Sequence, residues 1–245
     1  MRRGRLGFWY RLAVCLIKPA MLVLTRRDWR GQQHIPPAGG VIIAANHVSY
    51  ADPFTFAHYV YDAGRPPCFL AKIELFRLRW PLGRIVRGAG QIPVYRNSAN
   101  AADALRDAVA AIRRGKAVVI YPEGTVTRDP QLWPMVARTG VARLAMATGA
   151  LVVPVAQWGP QRMYSRAQGL HLWPRMTVRV LAGPPVDLSG YLGRPQTAQL
   201  LGEVTDVVMA AIRSQLGVLR GLSPPAVVFD PRIAADRDPD QRRSA

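Results

Sequence analysis

A chain of 245 residues, 49% of them hydrophobic, can bury a substantial core and fits one domain with additions at both ends. Its 33 Lys and Arg against 15 Asp and Glu give a net charge of +18, which predicts an anionic partner: nucleic acid, acidic lipid, a phosphorylated substrate or an acidic carrier protein. Cys15 and Cys68 lie far apart in apolar surroundings with no CxxC pair or His cluster nearby, which excludes a disulfide framework and a thiolate zinc site and points to a reducing compartment.

Residues 6–24, "LGFWYRLAVCLIKPAMLVL", are largely apolar, but Arg11, Lys18 and Pro19 interrupt them. Such a segment is a poor candidate for crossing ~30 Å of hydrocarbon, and charges inside the apolar region do not fit an export signal. Arginines flank it on both sides, and Phe8, Trp9, Tyr10 and Trp29 are interleaved. It either lies in a membrane interface or packs on the protein's own core, and the basic flanks favour the interface. Residues 1–30 are therefore expected to form an apolar, basic, membrane-associating helical segment.

From residue 31 to 222 short β-rich runs alternate with helical stretches. Expected strands are 41–45, 68–71, 90–95, 117–121, 151–156 and 177–182, several of them continuously apolar, as strands covered on both faces should be. Residues 98–115 place Leu105, Ala108, Val109 and Ile112 on one helical face and end in Arg-Arg-Gly, a sound helix stop. Helices are also expected from Asp52 to Tyr61, Met135 to Ala147 and Gln196 to Leu216. The alternation predicts an α/β fold, a central mostly parallel sheet flanked by helices, with the N-terminal segment docking it to a membrane. Residues 223–245 mix Pro, Asp and Arg without period and read as a mobile tail.

Three polar islands fall at the ends of expected strands, where open α/β sheets place their ligands. In the first, "NHVSYADP" (46–53), Asp52 before Pro53 reads as a helix N-cap, and Ser49 with Asp52 fits a capping box. That leaves His47 without a task. A neutral imidazole, with a reference pKa of about 6.5, can take a proton from an alcohol if a carboxylate holds its tautomer. His47 and Asp52 are five residues apart, roughly 140° around a regular helix, so the turn between them must bend for them to meet. So arranged they are the base and orienting acid of a triad without its serine, and the alcohol must come from the substrate. In the second island, "GQIPVYRN" (90–97), Arg96 is either a forked phosphate ligand or a solvated arginine beside a turn. In the third, "YPEGTVTRD" (121–129), Glu123 and Gly124 suggest a tight turn whose backbone approaches a ligand, with Thr125 beside it, or a plain strand-to-loop turn.

Taken in order, NH followed by four residues and Asp, a Gly and an Arg around an apolar strand, PEGT, and "VVPVA" resemble the four blocks of the glycerophospholipid acyltransferase family, closest to its 1-acylglycerol-3-phosphate branch. The resemblance spans residues 41–156, and "AKIELF" (71–76) also looks like the family's segment between its first two blocks. It implies acyl transfer from acyl-CoA or acyl-carrier protein, a co-substrate rather than a cofactor, to a lysophospholipid hydroxyl without a metal, on the cytoplasmic face of the cell membrane with an anionic membrane surface as partner. By position it implies His47 as the base and Asp52 as its orienting acid. It likewise assigns Arg96 and Lys72 to the acceptor phosphate, Glu123, Gly124 and Thr125 to the acceptor site, and Pro154 to the fourth block. The family's third block usually continues EGT with Arg and Ser. Here Val126 and Thr127 follow, and Arg128 stands in for the guanidinium.

Two other classes account for less. A basic nucleic-acid or membrane-binding module fits the charge but shows no helix-turn-helix, zinc or RNA-binding signature and leaves His47 idle, so no specific nucleic acid is expected. A zinc hydrolase wants three protein ligands, and His34, His58 and His171 are isolated.

Overall fold

Strand β2 (Val41–Ala45) is buried at every position and lies mid-sheet, paired on one side with β5 (Ala117–Ile120) and on the other with β6 (Leu151–Trp158). Its alternation divides the core: Ile42 and Ala44 face one hydrophobic layer, and Val41, Ile43 and Ala45 the other. The computed structural model describes residues 6–80, 82–94, 101–165 and 168–233. With β1 (Thr25–Arg30), β3 (Pro67–Lys72), β4 (Ile92–Val94) and β9 (Met176–Ala182) the sheet has seven strands in the order β1-β9-β6-β2-β5-β3-β4. The strands from β6 to β4 are mutually parallel, β9 runs antiparallel to β6, and β1 follows β9 in parallel. A small hairpin, β7 (Tyr164–Ser165) and β8 (Gly169–Leu170), leaves the sheet between β6 and β9. The expected mostly parallel sheet is what the chain forms.

The helices cover both faces. On one, α5 (Ala101–Arg113), α6 (Gly140–Thr148) and α8 (Ala198–Arg220) pack Ala108, Ile112, Leu144, Leu201, Val208 and Ile212 against Ile42 and Val118. On the other, α2 (Asp52–Asp62) brings Phe56, Tyr59 and Val60 onto Ile43 and Val119. The crossovers explain the division. The chain steps from β2 through α2 to β3, and from β3 through α3 (Ile73–Phe76) and α4 (Leu82–Gly88) to β4, in one direction along the sheet; it then steps back through α5 to β5. Right-handed connections put the first two on one face and the third on the other. The remaining short helix, α7 (Pro160–Met163), follows β6 directly.

Helix α1 (Phe8–Leu24) lies outside α2, with Lys18 Nζ 2.7 Å from Asp62 Oδ1 and Tyr10 stacked on Tyr61. Among the described residues no helix is long and apolar enough to cross a membrane. Two expectations shift. Residues 25–30, read as part of the N-terminal helical segment, form β1, because their backbone pairs in register with β9. The helix expected from Met135 starts at Gly140, because the Met135 and Val136 amides donate to Glu123 Oε2 and to the Phe229 carbonyl instead of waiting for a helical partner.

Candidate active site

The carboxyl ends of β2, β5, β6 and β3 lie along one edge of the sheet, so the loops that follow them meet there. Beyond Ala45, pairing continues through side chains: Asn46 Nδ2 donates to the Gln157 carbonyl at 3.1 Å, and the Gln157 amide donates to Asn46 Oδ1 at 2.8 Å. Gln157 Nε2 also reaches the Asn46 carbonyl at 2.9 Å, and both residues are fully buried. This double clamp fixes the chain immediately before His47. The clue in the sequence is a lone amide, Gln157, closing an apolar strand.

The turn that follows bends as the dyad requires. Asp52 is the first residue of α2, and its carboxylate turns back into the loop instead of capping the helix. Asp52 Oδ2 accepts from the Val48 amide at 2.7 Å and the Ser49 amide at 3.0 Å, and lies 2.8 Å from His47 Nδ1. Asp52 is therefore not the N-cap, whereas the pairing expected of Ser49 with Asp52 is made in the bond from the Ser49 amide to the Asp52 carboxylate. Ala51 occupies the cap position, Ser49 Oγ accepts from the Ala51 amide, and Ser49 donates to the Tyr164 carbonyl of the hairpin. Pro53 sits in the first turn, where its missing N–H costs nothing. Burial raises the Asp52 carboxyl above its usual range, opposed by the His47 contact and the two amides.

The imidazole is held on its face as well as its edge. The Tyr121 ring lies 4.2 Å from that of His47, at an interplanar angle of 13°, and itself packs on Phe56 and Phe69. With Nδ1–H directed at Asp52, Nε2 is the nitrogen left to accept a proton from a hydroxyl. Burial pushes the Tyr121 hydroxyl well above its usual range, which keeps it neutral.

Glu123 joins the first and third islands. Its Oε1 accepts from the His47 amide at 2.9 Å and its Oε2 from the Met135 amide at 3.1 Å. Burial pushes its pKa up to about 8 against the pull of those two donors. Gly124 follows at φ 73, a left-handed position that favours glycine, and its amide closes the turn onto the Tyr121 carbonyl. Thr125 is half-buried beside it. The Thr127 amide then donates to the His47 carbonyl at 2.7 Å, while Thr127 Oγ1 donates to the Trp133 carbonyl and accepts from the Asp129 amide. Thr127 is thus committed to shaping the loop.

The cationic residues are more dispersed. Lys72 ends β3 opposite Val94 of β4, and Arg96, two residues further along the sequence, lies outside the described residues. Arg128 is exposed. The guanidinium over the Gly124 turn belongs to Arg138, whose Cδ and Nε lie 3.4 Å from where a Cβ on Gly124 would sit, and whose amide donates to the Pro122 carbonyl. Sequence spacing misses Arg138 because it lies fourteen positions beyond Gly124. The fourth-block Pro154 lies mid-β6, opposite Ala44, below this edge. Among the described residues, no three His, Cys, Asp or Glu side chains gather to hold a metal ion. His58 packs against Trp29 within the α2 layer, away from the site.

Residues 26–158 match the family model described as Acyltransferase. Sequence relatives include a 1-acyl-sn-glycerol-3-phosphate acyltransferase of Borreliella burgdorferi, 30% identical over 55% of this chain and 52% of the relative. That of Neisseria gonorrhoeae is 34% identical over 48% and 43%. A lyso-ornithine lipid O-acyltransferase of Pseudomonas aeruginosa is 30% identical over 63% and 54%. The chain thus spans about half the length of the curated relatives it matches. In structure it is similar to the 1-acyl-sn-glycerophosphate acyltransferase PlsC of Thermotoga maritima, with a TM-score of 0.66 at 20% identity over 90% of this chain and 81% of that one, a likeness of fold. The matched span runs from β1 to the end of β6 and so contains the dyad, the Glu123 turn and the Asn46–Gln157 clamp: the chain belongs to the acyltransferase family.

Proposed function

We propose that this chain moves a fatty acyl group from acyl-CoA or acyl-carrier protein to the free hydroxyl of 1-acylglycerol-3-phosphate, giving phosphatidate. The observation that carries the reading is the contact of 2.8 Å between His47 Nδ1 and Asp52 Oδ2 at the carboxyl edge of the sheet. An acyl thioester is already activated, so the site needs a positioned alcohol and a base rather than a nucleophile of its own. His47 Nε2 takes the hydroxyl proton as the oxygen attacks the thioester carbon. The C–S bond then breaks, and the imidazolium returns the proton to the departing thiolate. Asp52 keeps the tautomer that makes this possible and stabilises the imidazolium. Glu123 and Gly124 hold the acceptor loop against His47, with Thr125 beside them. Arg96, Lys72, Arg128 and Arg138 are the cations available to the acceptor phosphate. Helix α1, with Arg11 and Lys18 and no acidic residue, lies in the headgroup region on the cytoplasmic face and keeps the site where lipid acceptors are found.

A second reading keeps the chemistry and changes the acceptor to glycerol-3-phosphate, another lysophospholipid or a glycolipid. It is favoured by Val126 and Thr127 in place of the usual Arg and Ser, with Thr127 occupied inside the loop. The name of the Pseudomonas aeruginosa relative points the same way. Pairing coenzyme A and carrier-protein thioesters with a panel of acceptors in mixed micelles separates the two. Highest kcat/KM on 1-acylglycerol-3-phosphate supports the first reading, and a higher value on glycerol-3-phosphate, another lysophospholipid or a glycolipid replaces it with the second.

A further inference from the structure

Helix α1 is clasped at both ends by elements that expose tryptophan. Near its start, the Trp9 side chain occupies a notch on α4 that exists because residue 88 is glycine: a Cβ there would lie 2.4 Å from Trp9 Cδ1 and 2.5 Å from Trp9 Cβ. Trp9, Arg84, Arg87 and Gly88 line an open cleft of about 450 Å³ at this seam. At its end α1 has no basic residue of its own to meet its last carbonyls. Arg175, from the segment after the hairpin, donates to the Leu22 carbonyl at 2.7 Å and to the Thr25 carbonyl at 2.9 Å.

Both clasping segments carry large apolar side chains in water. Between α3 and α4, Trp80 is 70% exposed, and Leu75, Leu78 and Leu82 are exposed with it. After β8, Trp173 is 77% exposed beside Leu170 and Leu172. Exposed apolar clusters of this kind mark contact with another phase or partner. Charge selects which. From Ala71 to Gly90 the chain has five basic residues and one acid, Glu74, and from Gln161 to Arg175 it has basic residues and no acid. Tryptophan with arginine around a leucine patch suits the headgroup layer of an anionic bilayer, where the indole straddles the polar boundary and cations near the surface add attraction.

We propose that the membrane-contact surface has three parts: α1, the α3–α4 turn anchored by Trp80, and the β8–β9 segment anchored by Trp173. It rests on the reading of this chain as an enzyme of lipid acceptors. The hairpin stands at the site through Ser49 and Tyr164, and α3 follows Lys72 at the end of β3, so the chain leads from the carboxyl edge of the sheet into both tryptophan-bearing segments.

Flotation with vesicles of phosphatidylglycerol tests this without any substrate. The Trp80→Ala/Trp173→Ala double variant should lose about tenfold in vesicle affinity at unchanged melting temperature, while a Phe8→Ser/Val23→Ser variant weakens binding on its own account. Quenching of tryptophan fluorescence by brominated phosphatidylglycerol should fall in each single variant, which reports contact even if the double variant folds poorly. Undiminished flotation and unchanged quenching in the tryptophan variants overturn the proposal, as does failure of the unmodified protein to bind anionic vesicles. A protein that binds vesicles in this way but transfers no acyl group contradicts the function proposed above and leaves this surface standing.

Discussion

At the site, each of three side chains holds His47 differently, and each makes a separable prediction. Asp52 holds the ring edge, Tyr121 its face, and Glu123 the backbone amide behind it. Replacing Tyr121 with Leu removes the stacked surface and should lower kcat about tenfold with little change in KM, whereas Tyr121→Phe keeps the ring and most of the rate. Glu123 predicts a pH dependence. Its folded pKa of about 8 lies above the usual 4.5, so between those values the folded chain keeps a proton that the unfolded chain releases. The resulting stability is complete below the lower value and is lost as pH rises through the upper one. Thermal unfolding from about pH 5 to about pH 9 should show a fall in melting temperature that is shallower in Glu123→Gln. The sequence makes His47, Asp52, Glu123 and Gly124 legible, because their spacing and position at strand ends carry the signal. It misleads about how Asp52 is used, since an Asp-Pro pair at a helix start looks the same whether the carboxylate caps the helix or turns back. Tyr121 reads as the end of a strand, and Arg138 is invisible, because contact across a loop leaves no local pattern.

At the level of elements, apolar runs were readable and polar ones were not. Strands β2, β3, β5, β6 and β9 follow from their buried residues, and helix α8 from its apolar face, although it runs past the expected end at Leu216 to Arg220, where Gly221 at φ 65 closes it. Strand β1, "TRRDWR", has no such pattern, since as an edge strand it is held by pairing to β9. Nor do α3, α4 or the β7–β8 hairpin announce themselves, being shorter than any periodicity can resolve. The loop after β5 is shaped from outside. Arg220, at the end of α8, lies between the Trp133 and Trp158 rings at 4.4 Å from each and donates to the Gln131 carbonyl at 2.9 Å. The side chains of Thr127 and Asp129 tie the same loop to Trp133. Arg220→Ala should therefore cost about 1–2 kcal/mol of stability and raise KM for the acceptor more than it lowers kcat. Thermal unfolding and steady-state kinetics read the two effects.

In the whole molecule, the sheet order brings loops from distant parts of the sequence to one edge. Pairing of β2 with β5 sets His47 against Glu123, and pairing of β2 with β6 sets Asn46 against Gln157. The helices on the two faces leave this edge to the loops, and α1 lies outside α2 with most of its length half-exposed or exposed. A net charge of +18 suits the anionic membrane surface proposed above as partner, and attraction of that kind weakens as salt shortens the screening length from about 10 Å at 0.1 M to about 3 Å at 1 M. The central claim is that the dyad at this edge moves an acyl group onto a lysolipid hydroxyl. It is tested most directly by the rate of thiol release from an acyl thioester in the presence of 1-acylglycerol-3-phosphate, comparing the unmodified protein with His47→Ala and Asp52→Asn at matched folding. The account predicts acceptor-dependent thiol release that falls by about 10²–10⁴-fold in both variants. Acceptor-dependent release at an unchanged rate in both would contradict it.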